Sequence, residues 1–169
     1  MRLFKTKLIG LAILISSVSI AQLPSKVLVG YWENWGNLRL KDVDDRYNVL
    51  CLAFLEADKT YPATPHDNKV SDLEFTPTNK TTLKQDITTV QSEGKKVLIS
   101  IGGGNGSFKL NNNNDKITFV SKVKDFITEY GVDGIDIDLE QPTYICTSGN
   151  QSLNAPENHI QYLINACKE

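Results

Sequence analysis

The sequence predicts an α/β fold with a parallel sheet, and three observations carry that prediction. Four short apolar runs, rich in β-branched residues, recur along the chain. They are nearly continuous in hydrophobicity rather than alternating, as strands covered on both faces tend to be. Segments with apolar residues at helical spacing separate the later runs, so the order reads β(α)βαβαβα with right-handed crossovers.

The first run is Lys26–Tyr31. The connection from Trp32 to Tyr47 lacks a helical stripe and is expected to hold a loop and a short helix. Asn48–Leu55 is the second strand. Residues 57–80 read as a polar loop with three prolines, Pro62, Pro65 and Pro77. Leu83, Ile87 and Val90 then recur at helical spacing, and Gly94 stops that helix. Lys96–Ile101 is the third strand and runs into Gly102, Gly103 and Gly104. The Asn111–Asn114 run reads as a solvated loop. The next helix shows the stripe Ile117, Val120, Val123, Ile127 and Tyr130, ended by Gly131. Gly134–Glu140 is the fourth strand. Ile160, Leu163, Ile164 and Cys167 mark a last helix, with Asn154 as a cap and Pro156 and Glu157 in its first turn. There are no internal repeats and no linker to a second domain. Two architectures fit this order: an open doubly wound sheet and part of a (β/α)8 barrel.

Hydrophobic residues make up 40% of the chain and charged residues 22%, the balance of an ordinary globular domain. No run of Lys or Arg offers a nucleic-acid groove. Residues 1–21 read as a signal peptide rather than as part of the fold. Arg2, Lys5 and Lys7 form a positive start, Leu8–Ile20 is apolar but short, and cleavage is expected near Ala21–Gln22. An uncleaved anchor is the alternative. Cleavage removes three positive charges and takes the net charge from −2 to −5. A secreted protein with no membrane contact after cleavage is expected, with a neutral polymer a more natural partner than a nucleic acid. Cys51 lies in an apolar run and reads as a buried thiol, while Cys146 and Cys167 are free to pair or not in an oxidising compartment. His66 and His159 are far apart and read as surface residues. Neither the histidines nor the cysteines have ligand spacing, so no metal and no cofactor are expected.

The fourth strand carries the chemistry. Residues two apart on a strand share a face, so Asp136, Asp138 and Glu140 point one way and Ile135, Ile137 and Leu139 the other. The strand reads as central to the sheet. Three carboxylates along one buried face cannot all stay ionised, so at least one pKa should rise and protons should be shared. That arrangement suits acid–base chemistry. An edge strand with a solvated acidic face is one alternative, and a calcium or magnesium site is another.

Asp133, Gly134, Asp136, Asp138 and Glu140 together resemble the DGxDxDxE signature of family 18 glycoside hydrolases, complete at every fixed position. Ser100, Gly102 and Gly103 resemble the same family's SxGG signature, on the strand before. Gly30–Tyr31 and Ala53–Phe54 resemble its first two strands, so the likeness covers most of Lys26–Glu169. The resemblance implies a (β/α)8 barrel with its site at the C-terminal strand ends. It implies Glu140 as general acid and base, Asp138 orienting the substrate acetamide, and Asp136 sharing a proton with Asp138. Ser100 and Tyr31 would hydrogen-bond the inner carboxylate. Tyr31, Trp32, Trp35 and Phe54 would contact sugar, with Ser100, Gly103 and Asp133 completing the substrate-binding set. The implied substrate is chitin or a chito-oligosaccharide, cleaved with retention through an oxazolinium ion. An endo-β-N-acetylglucosaminidase acting on N-glycans and a chitin-binding lectin are the alternatives. A (β/α)8 barrel takes ~250 residues, more than the 169 here. The chain is therefore expected to be the N-terminal half of such a barrel, inactive alone, with the missing C-terminal half as a partner.

Overall fold

A computed structural model describes residues 23–57, 69–104, 106, 108–140 and 158–169. The signal-peptide stretch, Pro62, Pro65, His66, Cys146, Asn154, Pro156 and Glu157 lie outside these residues. Four strands form one parallel sheet: β1 (Val29–Glu33), β2 (Val49–Leu55), β3 (Lys96–Gly102) and β4 (Gly134–Asp138). Helix α1 (Lys80–Ser92) links β2 to β3, α2 (Asn113–Tyr130) links β3 to β4, and α3 (Asn158–Ala166) follows β4. Single 3-10 turns occur at Leu40–Asp42 and Val70–Asp72.

The strands lie side by side in chain order, β1-β2-β3-β4. A doubly wound sheet reverses direction part-way across, whereas barrel winding always steps the same way. The uniform order therefore selects the βα winding of a (β/α)8 barrel. The fourth strand is not central to the described sheet, as its sequence suggested, but stands at one edge with β1 at the other.

One face of the sheet makes the core. Leu50, Leu52, Val97, Ile99 and Ile101 are essentially inaccessible and pack with Leu83, Ile87 and Val90 of α1 and with Phe119 and Val123 of α2. Period-two alternation sends Cys51, Ala53, Leu98, Ser100, Asp136 and Asp138 to the other face. Strand β2 breaks the rule at its end. Between Leu52 and Leu55 its register against β3 shifts by one residue, and a bulge of this kind re-aims the side chains beside it. Leu55 thus stays in the core while Phe54 turns to the Tyr31 side of the sheet. The peptide bond between Ala53 and Phe54 is cis.

Two elements differ from the sequence reading. The buried stripe of α2 is Phe119, Val123, Phe126 and Tyr130, not one beginning at Ile117, which is 55% exposed. Both stripes have helical spacing, and the one carrying two phenylalanines buries more area. Asn112 is the N-cap of α2, its side chain accepting from the amides of Asn114 and Asp115, so the helix begins inside the asparagine run. The stretch after β2 is not simply a polar loop. Val70, Leu73 and Phe75 are buried, Glu56 and Glu74 form an antiparallel bridge, and Phe75 meets Phe126 edge-on with ring centroids 5.4 Å apart. His159 is half-buried at the start of α3 rather than a surface residue. Cys167 is a free, exposed thiol at its end.

The α2 register makes a direct prediction. Phe119→Ala is expected to lower the unfolding free energy by about 3–5 kcal/mol, whereas Ile117→Ala should stay within about 0.5 kcal/mol of the parent. Urea melts followed by circular dichroism check both values; equal costs would place Ile117 in the core.

Candidate active site

The C-terminal ends of the strands converge on the face opposite the helices. Ser100 and Asp136 are register partners on β3 and β4, and the Ser100 hydroxyl donates to Asp136 Oδ2 at 2.8 Å. The Tyr31 hydroxyl, from β1 at the other edge, donates to the same oxygen at 3.0 Å. In a flat sheet, β1 and β4 would be three strand spacings apart, ~14 Å, too far for two side chains standing up from the surface to meet. The contact therefore shows that the sheet curls, with the carboxylate face inside the curl.

Asp138 sits one step above Asp136 on the same face. Burial, then the negative charge of Asp136, push its carboxyl above the ordinary range. Tyr31 is also driven upward, by burial first and then by its hydrogen bond to Asp136, so its phenol stays a donor. Cys51, beneath them and 1% exposed, is pushed up to about 12 by burial and by the charges of Asp136 and Asp138. It is an inert part of the floor. Glu140 follows the strand end and is exposed. A methyl group placed on Gly104 would lie 3.6 Å from Glu140 Oε2, so its carboxylate lies over the turn that follows β3.

Two glycines make this approach possible. Gly103 donates its amide to the Asp138 carbonyl at 2.7 Å. A Cβ on Gly102 (φ 123°) would lie 2.2 Å from that same carbonyl oxygen. A Cβ on Gly103 (φ 79°) would lie 2.9 Å from the Phe54 ring. Both residues have positive φ, which glycine adopts without steric cost. They lock the ends of β3 and β4 together and leave room for Phe54. That ring stands 6.2 Å from Tyr31 on one side and 6.2 Å from Trp35 on the other, and Trp35 is 62% exposed. An exposed indole stacked on Phe54 is a surface on which an apolar sugar face could stack.

The structure thus gathers Asp136, Asp138, Glu140, Ser100, Tyr31, Phe54, Gly103 and Trp35. Two expected residues lie elsewhere. Trp32 is on the opposite face of β1 from Tyr31; its ring packs on the core and its Nε1 donates to the Leu38 carbonyl at 2.8 Å. Asp133 is at the other end of β4, seven residues before Glu140 and hence ~23 Å away along an extended strand. There it accepts from the Val97 amide (2.9 Å), Lys96 Nζ (2.8 Å) and Gln91 Nε2 (2.9 Å). Burial raises its pKa, but those donors outweigh burial and hold it below the ordinary value. Asp133 ties the start of β4 to β3 and α1; it touches no part of the candidate site. Among the described residues no three His, Cys, Asp or Glu side chains are grouped to hold a metal ion.

Sequence reading missed Gly102 as a site residue, although its place after Ser100 was noted, and it missed Arg39 and Asp86. Asp86 lies on the buried stripe of α1 with Leu83, Ile87 and Val90. A carboxylate at such a position demands a cation, and that was the available signal. Arg39 supplies it in a bidentate pair, Nη2 to Oδ1 at 2.6 Å and Nε to Oδ2 at 3.2 Å.

Known proteins resemble the chain over most of its length. It matches the family described as glycosyl hydrolases family 18 over residues 27–169. It is 38% identical over 152 residues to chitinase D of Niallia circulans, covering 85% of this chain and 28% of that one. A family 18 chitinase from Chromobacterium violaceum superposes with a TM-score of 0.65 at 32% identity, over 84% of this chain and 36% of the other. A class V chitinase from Nicotiana tobaccum, solved in complex with NAG4, superposes with a TM-score of 0.53 at 25% identity, over 69% and 33% of the two chains. The chain spans about a quarter of the length of the curated relatives it matches.

Asp133, just before β4, and Asp138, at its end, should affect stability with opposite sign. Asp138 has a raised folded pKa, so its contribution is present below the unfolded value of ~3.9 and is lost as pH rises through the folded value. Asp138→Asn is therefore expected to stabilise the chain at pH 7, the gain vanishing by about pH 3. Asp133 has a lowered pKa, so its contribution is present above ~3.9 and is lost as pH falls through the folded value. Asp133→Asn should cost about 1–2 kcal/mol at neutral pH, with the difference closing in acid. Urea midpoints across pH 3–7 measure both, and parallel profiles would contradict the assignment.

Proposed function

The chain belongs to glycosyl hydrolases family 18, and on that premise we propose that it carries the acid–base side of a chitinase site cleaving β-1,4-linked N-acetylglucosamine polymers. The observation that carries this reading is Asp136 held by two hydroxyls directly below Asp138, whose carboxyl is raised, with Glu140 exposed beyond it. Glu140 is the acid that protonates the glycosidic oxygen. The acetamide carbonyl of the substrate attacks the anomeric carbon and forms an oxazolinium ion, so no second protein nucleophile is needed. Asp138 orients that acetamide and balances the positive charge developing on it. A carboxyl with a raised pKa can take the proton it shares with Asp136 as it turns toward the substrate, where its other oxygen accepts from the acetamide N–H. Ser100 and Tyr31 then satisfy the Asp136 carboxylate left behind. Water opens the oxazolinium with Glu140 as base, and configuration is retained.

The substrate class follows from the mechanism: only a 2-acetamido sugar has the internal nucleophile. The solved complex of the Nicotiana tobaccum relative with NAG4 supports chito-oligosaccharide as the ligand class. Trp35, with Phe54 behind it, is the sugar platform of this half of the cleft. The reading includes export through residues 1–21, with cleavage near Ala21–Gln22. It also includes further strands completing the pocket, since β1 and β4 each leave one edge unpaired among the described residues.

In a form of the chain completed by those strands, Glu140→Gln is expected to lower turnover of a fluorogenic chitobioside at least about 100-fold. Affinity for chitotetraose should be retained, because the amide fills the same space. Hydrolysis unchanged by this substitution would overturn the assignment of the acid. Turnover of a glycoprotein in preference to the chitobioside would redirect it to N-glycans.

A further inference from the structure

Trp35 belongs to neither a strand nor a helix, yet a sugar platform must be held still to contribute to affinity. Its ring has one aromatic neighbour, Phe54, and is otherwise largely exposed. What fixes it is the strap that carries it, residues 34–40. At the near end, the Asn34 amide donates to the Ala53 carbonyl at 3.3 Å and the Thr78 hydroxyl donates to the Asn34 carbonyl at 3.4 Å. At the far end, the Leu38 carbonyl accepts from Trp32 Nε1, Leu40 is fully buried, and Arg39 pairs with Asp86.

We propose that the Arg39–Asp86 pair is a positioning device for Trp35, transmitting the rigidity of helix α1 through the strap to the sugar platform. The inference rests on the reading of Trp35 as a sugar-contacting ring. Three features single out the pair. Asp86 has 4% of its side chain exposed and lies on a helix whose other buried side chains are apolar, so its carboxylate depends on the partner that meets it. The guanidinium meets it through two parallel bonds, which fix orientation as well as distance; an ammonium cannot do so. Between the strap and the start of α1 lies a half-open groove of about 300 Å³ lined by Trp32, Trp35, Arg39, Pro77, Thr82 and Asp86. The strap is therefore not backed by close packing, and without the pair there is room for it to shift.

The test uses the full chain labelled with 5-fluorotryptophan. The sequence has two tryptophans, so two fluorine resonances are expected, and Trp35→Phe assigns them. Arg39→Lys keeps the charge and removes the fork; Asp86→Asn keeps the shape and removes the charge. Each should broaden or shift the Trp35 resonance and, in the form completed by the further strands, weaken chitotetraose binding roughly 3- to 10-fold, the scale of freeing one ordered side chain. The deciding readout is a double-mutant cycle by titration calorimetry. If Arg39 acts through Trp35, Arg39→Lys costs nothing further in a Trp35→Ala background. An equal loss in both backgrounds, or an unmoved Trp35 resonance in both variants, would overturn the positioning role. If Trp35→Ala itself leaves chitotetraose binding unchanged, the platform reading fails instead, and the fluorine line still judges the clamp. Circular dichroism melts of each variant separate these outcomes from unfolding.

Discussion

Tyr31 and Asp136 lie 105 residues apart and stand on opposite edges of the described sheet, yet they share a hydrogen bond. That contact sets the shape of the site. It requires the four strands to curl so that β1 and β4 face each other, and the curl turns an otherwise flat row of carboxylates into the wall of a concavity. Ser100 reaches the same oxygen from the neighbouring strand. Asp136 is thus a junction between β1, β3 and β4 rather than one more acid in a row. A half-buried carboxylate without such donors would be costly. With them it is tolerated, and its charge is available to raise the pKa of Asp138 above it.

The ends of the strands are joined as tightly as their middles. The Gly103 amide bonds the Asp138 carbonyl, and Gly102 permits an approach that any side chain would block. The serine and two glycines at the end of β3 therefore have three separate physical duties: a donor for Asp136, a close backbone approach to β4, and clearance for the Phe54 ring. The first two act on β4 and the third on β2. Together they fix the depth of Asp138 and the place of the aromatic pair relative to it.

Much of this was legible in the chain. Four apolar runs gave four strands, and period two placed Asp136 and Asp138 on one face with Ile135 opposite. The order of the two signatures gave the family. Three things were not legible, each for a different reason. The α2 stripe was misplaced because Ile117 and Phe119 both begin acceptable helical spacings, and only the area buried distinguishes them. Phe54 should point outward by alternation, and only the bulge against β3 turns it inward. Trp32 and Trp35 look alike in sequence, but one falls on the core face of β1 and the other in the strap beyond it.

The sequence by itself determined the βα order, the face that the carboxylates share, and the residue types able to do acid–base chemistry. These are properties of local periodicity and of the side chains, which neighbouring residues suffice to express. The tertiary structure decided which of those residues meet. It sent Asp133 to the far end of β4 as a tie to Lys96 and Val97, put Tyr31 against Asp136, and set Arg39 on Asp86. Such pairings depend on sheet curvature and on how closely backbones approach. Both arise from packing among elements far apart in the chain, so no local pattern can encode them.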